Sequence, residues 1–256
     1  MTERARAVGR YFDEVADSYA SRYDDAGPAG YALAIRWKRL FEQLAYATGP
    51  MLDAGCGPGL LLAALAGRGE RVVGVDLSLA MTRQAAQRAP AVAGALEALP
   101  FGGGRFGVVI AAGAVEYVAD DRAALGELAR LVRPGGLLLA TFPNRFSPYR
   151  LWKNGVFYPL VDQLRPLFYR LRGVPRPSPV TAYHHHYTPN EVANVLAAQG
   201  LEVEKVVYLN QQVLPSPLDE WLPDLSVALS RWLERWSNTP IGRFGTAFLM
   251  RARRPG

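Results

Sequence analysis

The 256 residues carry a formal net charge of +6 and include a single cysteine. A chain of that length can bury a full core as one domain with an insertion, and one cysteine excludes an internal disulfide. The first residues, Met1-Thr2-Glu3-Arg4-Ala5-Arg6, are charged and lack the apolar run of a secretion signal, so a cytoplasmic protein is expected.

Residues 4 to about 47 read as helices. Val8, Tyr11, Phe12, Val15 and Tyr19 fall at helical spacing, and Leu33, Trp37, Leu40, Phe41 and Leu44 repeat the pattern after Gly27-Pro28. The stretch 45–67 is almost free of charge, but Gly49-Pro50 and a glycine cluster interrupt it, which predicts a buried strand followed by a buried helix rather than a membrane span. That cluster, Leu52-Asp53-Ala54-Gly55-Cys56-Gly57-Pro58-Gly59, stands between an apolar run and Leu60-Leu61-Leu62. A strand, a glycine-rich turn and a helix in that order open a nucleotide-type cofactor site. Asp53 suits a cofactor carrying a positively charged amino group better than one made of phosphates.

A second apolar run, Val72 to Val75, ends in Asp76, where a carboxylate can accept from both ribose hydroxyls; Ser78 then reads as a helix N-cap. Strand signals continue at Ala91–Gly94, Val108–Ala112 and Leu137–Phe142, alternating with helix signals as a parallel sheet requires. Asp120 reads as the cap of a helix that Pro134-Gly135-Gly136 ends. Glu116 and Tyr117 follow the fourth strand, at the carboxyl edge where open α/β sheets bind ligands.

Between Arg145 and Arg176 seven basic residues face one acid, Asp162, and this segment accounts for the whole charge excess. Its basic residues alternate with large aliphatics. That pattern disfavours nucleic acid as a partner and leaves three readings open: a hydrophobic cap over a bulky substrate, an amphipathic surface resting on anionic lipid, or a cationic site for a phosphate or carboxylate. All three histidines stand together in His184-His185-His186-Tyr187, just before the capping box Thr188-Pro189-Asn190-Glu191. An imidazole there is a candidate general base, with Tyr187 as an alternative; in an extended strand His184 and His186 point the same way, but with no third ligand evident no metal is expected. A strand over Leu201–Leu209, a packing helix over Trp221–Trp236 that also offers an association surface, and a strand over Ala247–Ala252 complete the chain.

Five ordered stretches, Leu52 to Gly59, Gly74 to Met81, Gly94 to Phe101, Phe106 to Val118 and Leu131 to Asn144, resemble the class I S-adenosylmethionine-dependent methyltransferases, most closely the small-molecule and lipid-quinone type. The resemblance implies a Rossmann-like α/β fold: a seven-stranded, mostly parallel sheet with helices on both faces and the last strand inserted antiparallel. It also implies one domain, divided into an N-terminal helical lid (1–47), a cofactor-binding core (48–144), a substrate-cap insertion (145–187) and the C-terminal part of the core (188–256). The implied cofactor is S-adenosylmethionine, released as S-adenosylhomocysteine. Asp53 and Gly55 would lie near its methionine end, Gly57 at the turn, Asp76 on the ribose, Leu77, Met81 and Leu96 around adenine, Ala112 by the sulfonium and Tyr19 in the lid.

Two positions depart from the family pattern. Ala95 stands where an acid commonly accepts from the adenine amino group, and Gly107 where an aspartate is usual. The expected reaction is methyl transfer to a small, largely apolar acceptor, anionic or neutral, with oxygen as the favoured atom and His184, His186, Tyr187 or Glu116 taking the proton. Carbon methylation of a prenyl diphosphate or activated ring stays open, as does a cyclase or binding protein that holds the cofactor without transferring methyl. Peripheral membrane contact and oligomeric state stay open too.

Overall fold

The computed structural model describes residues 2–44, 47–161 and 184–256. Its seven-stranded sheet has the order β3-β2-β1-β4-β5-β7-β6, with β1 Met51–Ala54, β2 Val72–Asp76, β3 Ala91–Ala93, β4 Phe106–Ala112, β5 Val132–Pro143, β6 Glu202–Leu209 and β7 Ala247–Arg253. Strands β1 to β5 pair in parallel, and β7 lies antiparallel to both β5 and β6. The sheet reverses direction of growth at β1, with β2 on one side and β4 on the other. This is the switch point where the carboxyl ends of the strands leave a crevice.

The central strands are buried on both faces, as their unbroken apolar runs require: β1 is buried throughout, and Val108, Val109, Ile110 and Ala111 of β4 are fully enclosed. One face packs α5 (Asp121–Leu131) and α7 (Pro189–Ala198); the other packs α2 (Pro28–Gln43) and α3 (Leu60–Ala66). Asp120 caps α5 by accepting from the Ala123 amide, and Thr188 with Glu191 forms the capping box of α7. Helix α1 (Glu3–Tyr19) lies over α4 (Leu79–Ala86). It is held by Asp13, whose Oδ1 accepts from Ser78 Oγ at 2.5 Å and from the Ala80 amide at 2.9 Å.

One sequence expectation is adjusted and one departure from the family pattern is explained. Helix α5 stops at Leu131, and Pro134-Gly135-Gly136 falls inside β5, where pairing jumps from Phe106↔Val132 to Val108↔Leu137 and the extra residues bulge out. Gly107 has a structural cause: a Cβ built there would lie 2.0 Å from the Thr48 carbonyl oxygen, so no side chain fits. The insertion begins with α6 (Pro148–Trp152), continues as a wider π-helical turn over Lys153–Phe157 and stays helical to Val161. Asp162, Arg165, Arg170, Arg172 and Arg176 lie outside the described residues. C-terminal to β6, α8 (Leu218–Trp221) and α9 (Pro223–Leu233) fill the expected helical stretch in two pieces. Among the described residues, no helix is long and apolar enough to cross a membrane.

Candidate active site

The glycine turn is built by close approach. Gly55 has φ +76°, and a Cβ there would meet Ala114 Cβ at 2.3 Å; Gly59 has φ +83°, and its Cβ would fall 2.7 Å from Ala85 Cα. Neither position admits another residue without displacing β4's following turn or α4. Asp76 ties the loop to β2, its Oδ2 accepting from the Gly57 amide at 2.8 Å and its Oδ1 from the Ser78 amide at 2.9 Å. Burial raises its pKa, and these two amides oppose the rise.

Around this loop runs a cleft lined by Gly55, Gly57, Asp76, Leu77, Met81 and Leu96 together with Tyr19 and Phe12 of the lid. At its far end it reaches Gly113, Ala114 and Tyr117. The expected cofactor residues are therefore gathered in one place, with two differences of position. Asp53 lies beneath the lining, 2% exposed, and Gly113 and Ala114, rather than Ala112, form the wall after β4. Glu97 also lines the cleft while its Oε1 accepts from the Ala119 amide, so an acid stands two residues from the alanine that replaces the usual one.

Three features fit a flat, cationic, hydroxylated cofactor. Asp53 Oδ2 is buried without a hydrogen-bond partner, and burial followed by the Asp76 charge pushes its pKa up to about 7, as for a carboxylate built to meet a cation. A Cβ on Gly57 would meet only Tyr19, at 4.0 Å, so the space above that turn is free. Arg36 of α2 reaches over the loop after β4, where a Cβ on Gly113 would sit 2.4 Å from its Nη1, and its buried Nε has no partner. A guanidinium beside the glycine turn with a buried Nε still free to donate suits a carboxylate.

A second, larger cleft meets the first at the contact between Tyr117 and His184. Tyr149, Arg150, Lys153, Asn154 and Tyr158 form one wall; His184 and His186 face them, and Asp219 and Glu220 stand at the outer end. The histidines are set there by backbone pairing. The Tyr187 amide donates to the Pro143 carbonyl, the Arg145 amide to the Tyr187 carbonyl and the His185 amide to the Glu116 carbonyl, which lays the segment along the carboxyl end of β5. His184 packs edge-on against Tyr117 with ring centroids 4.6 Å apart, bridging the two clefts, and His186 Nε2 lies 3.3 Å from Asn154 Nδ2. Burial, then the positive charge of Arg150, lowers His184 to about 4, and the same two causes lower His186. His185 turns the other way, to Arg4 and Asp121. Thus His184 and His186 share a side, as strand periodicity predicts.

Tyr187 corrects the expectation. Its ring packs on Phe142 at 5.2 Å and its hydroxyl donates to the Val115 carbonyl at 3.4 Å, so it is a core residue 5% exposed, and burial pushes its phenol far above the usual range. Glu116 is also enclosed, 4% exposed, with Oε2 unpaired. Burial raises its pKa while Arg36 and Arg150 pull it down, so it sits as a counter-charge between two guanidinium groups, outside the lining of either cleft. Polar groups stand within the second cleft. Tyr149 donates to Asp219 Oδ2 at 2.6 Å and accepts from Lys153 Nζ at 3.0 Å, and Asp219 keeps a buried, unpaired Oδ1. Helix α6 and the turn after it bring Tyr149, Arg150, Lys153 and Asn154 to this otherwise largely apolar cleft, a choice of rotation that helical spacing leaves free. Among the described residues no cluster of three or more His, Cys, Asp or Glu is arranged to hold a metal.

A reversed α/β sheet with a glycine turn, a paired acid at the end of β2 and a buried, uncompensated carboxylate beneath the turn defines a class I methyltransferase domain. The comparisons agree: residues 52–140 match the family model described as a methyltransferase domain, and the cofactor of this domain is S-adenosylmethionine. The chain is 33% identical over 179 residues to a ubiquinone biosynthesis O-methyltransferase of Rhizobium rhizogenes, covering 67% of this chain and 66% of that one. It is 42% identical over 94 residues to a malonyl-[acyl-carrier protein] O-methyltransferase of Salmonella typhimurium, covering 36% and 38%. The chain thus spans 38% to 66% of the length of these two curated relatives. In fold it is similar to the magnesium protoporphyrin IX methyltransferase of Synechocystis solved with bound S-adenosylhomocysteine, with a TM-score of 0.60 at 17% identity, covering 97% of this chain and 99% of that one.

Proposed function

We propose that this protein transfers a methyl group from S-adenosylmethionine to an oxygen of a small molecule carrying polar, anion-compatible groups. The observation that carries the reading is the position of His184, edge-on against Tyr117 where the cofactor cleft meets the cleft of Arg150 and Lys153. The relatives named as O-methyltransferases support oxygen as the acceptor atom.

When bound, the cofactor supplies an electrophilic methyl group. Asp53 would face its ammonium, Arg36 its carboxylate, Asp76 the ribose hydroxyls, and Leu77, Met81 and Leu96 the adenine. Glu97 is the residue best set to accept from the adenine amino group in place of Ala95. The chain's contribution to rate is chiefly alignment: lid residues Phe12 and Tyr19 close one side, Tyr117 fixes the junction, and an acceptor oxygen held between His184 and Arg150 faces the methyl in line. His184, kept neutral by its surroundings, can take the acceptor's proton at Nδ1 or Nε2 without first losing one. A low basicity suits an acidic hydroxyl or a carboxylic acid, and Arg150 would stabilise the oxyanion that results.

The test is incubation with isotope-labelled S-adenosylmethionine and fractionated small-molecule and lipid extracts, read by mass spectrometry after cofactor binding has been measured. A labelled O-methyl product is expected. A label on carbon, or cofactor binding with no labelled product in any fraction, would overturn the reading.

A further inference from the structure

We propose that Asp13 is a positioning residue: it latches α1 over the cofactor cleft and, through Ser78, steadies the carboxylate of Asp76. This role goes beyond methyl transfer, requires only the cofactor cleft and holds or fails whatever the acceptor is. Helix α1 is the cover of that cleft. Ala5, Val8 and Phe12, spaced three and four residues apart, share one side of the helix and line the cleft. Between them the backbone comes close to the segment after β2, where a Cβ built on Gly9 would meet Leu77 Cγ at 3.7 Å.

Asp13 follows Phe12 but is exposed and stands outside the lining of the cleft. It reaches instead to the start of α4. Its Oδ1 accepts from Ser78 Oγ at 2.5 Å and from the Ala80 amide at 2.9 Å. The first amides of a helix have no partner within it and its positive end favours a carboxylate, so an acid supplied by α1 completes the cap. Ser78 makes the rest of that cap, its Oγ accepting from the Met81 amide at 3.1 Å. The same serine, wholly buried, donates its own amide to Asp76 Oδ1 at 2.9 Å. One line of hydrogen bonds therefore runs from the exposed edge of α1 through Ser78 to the carboxylate set for the ribose.

Two other ties of α1 differ in kind. Asp17 Oδ1 accepts from Gln84 Nε2 at 3.2 Å, an exposed and uncharged donor, and Arg4 Nη1 lies 3.1 Å from His185 Nε2 at the opposite end. Of these three, only Asp13 joins the cover to the turn that carries Asp76 and Leu77. Lifting α1 breaks both bonds of Asp13 and releases Ser78, so the cover and the ribose site loosen together. A latch placed outside the cleft resists passage in both directions alike.

The experiment measures the binding and release rates of S-adenosylhomocysteine by stopped-flow fluorescence. Asp13→Ala should raise the release rate by about twofold to thirtyfold, the range for losing a capping side chain, and the binding rate should rise with it, so that Kd moves less than either rate. Asp13→Asn keeps an accepting oxygen without the charge and should fall between the two. In hydrogen exchange, Asp13→Ala should speed the amides of α1 while those of β1 and β4 keep their native protection, which separates a loosened latch from a general loss of stability. Unchanged release by Asp13→Ala, faster release with an unchanged binding rate, faster exchange throughout the sheet, or an equal effect of Asp17→Ala would overturn the proposal.

Discussion

Replacing Asp53 by Asn should make the cofactor-free protein more stable and the cofactor-bound protein weaker. In the free protein Asp53 is enclosed, its Oδ2 has no partner, and its pKa is raised from 3.8 to about 7 by burial first and Asp76 second. A folded-state pKa above the unfolded one means that the group's stabilising contribution is complete below about 4 and is lost as the pH rises to about 7. At roughly 1.4 kcal/mol for each unit, the loss above pH 7 is at most about 4 kcal/mol. Asparagine does not ionise and escapes it. In thermal denaturation without cofactor, Asp53→Asn should therefore melt above the native protein at pH 8, by a margin that shrinks towards pH 4 and levels off above pH 7. In calorimetric titration the same variant should bind S-adenosylmethionine more weakly by about tenfold to a hundredfold, having lost a charge-assisted contact. Native affinity should rise with pH through about 7 as Asp53 ionises. A variant that melts lower than the native protein at pH 8, or that binds the cofactor equally well, would refute the assignment of Asp53 to the ammonium.

Asp76→Ala should abolish measurable cofactor binding, because it removes the partner of the Gly57 and Ser78 amides as well as the ribose acceptor; calorimetry checks this. Arg36→Ala should raise the dissociation constant for S-adenosylmethionine by about tenfold, with a smaller effect on a cofactor analogue lacking the carboxylate. His184→Ala should lower kcat by about a hundredfold with little change in cofactor affinity. With saturating cofactor, native kcat should show no inflection near pH 6.5, because His184 stays neutral down to about 4; an inflection near 6.5 would remove it from the mechanism. Gly107→Ala should cost about 2 kcal/mol, since its methyl would meet the Thr48 carbonyl, and should lower the melting temperature by roughly 4 to 8 °C without altering cofactor contacts.

What could be read from the chain alone was what local patterns encode. Alternating apolar strands and helices gave the seven strands, β5 apart, to within two residues at each end, and the glycine turn, Asp76 and Ser78 located the cofactor cleft because a sharp turn, a strand-end acid and a helix cap each need particular residue types at fixed spacing. Period-two geometry put His184 and His186 on one side and His185 on the other. Tertiary structure decided the remainder. Tyr187 belongs to the core because β5 runs beside it and Phe142 takes its ring, a contact between residues far apart in the chain. Arg36, Glu116 and Arg150 become one electrostatic group only when α2, the turn after β4 and α6 converge. Tyr149, Arg150, Lys153 and Asn154 reach the second cleft because α6 is rotated with that side inward; periodicity states that a helix has two faces, and only packing states which one the protein keeps for itself.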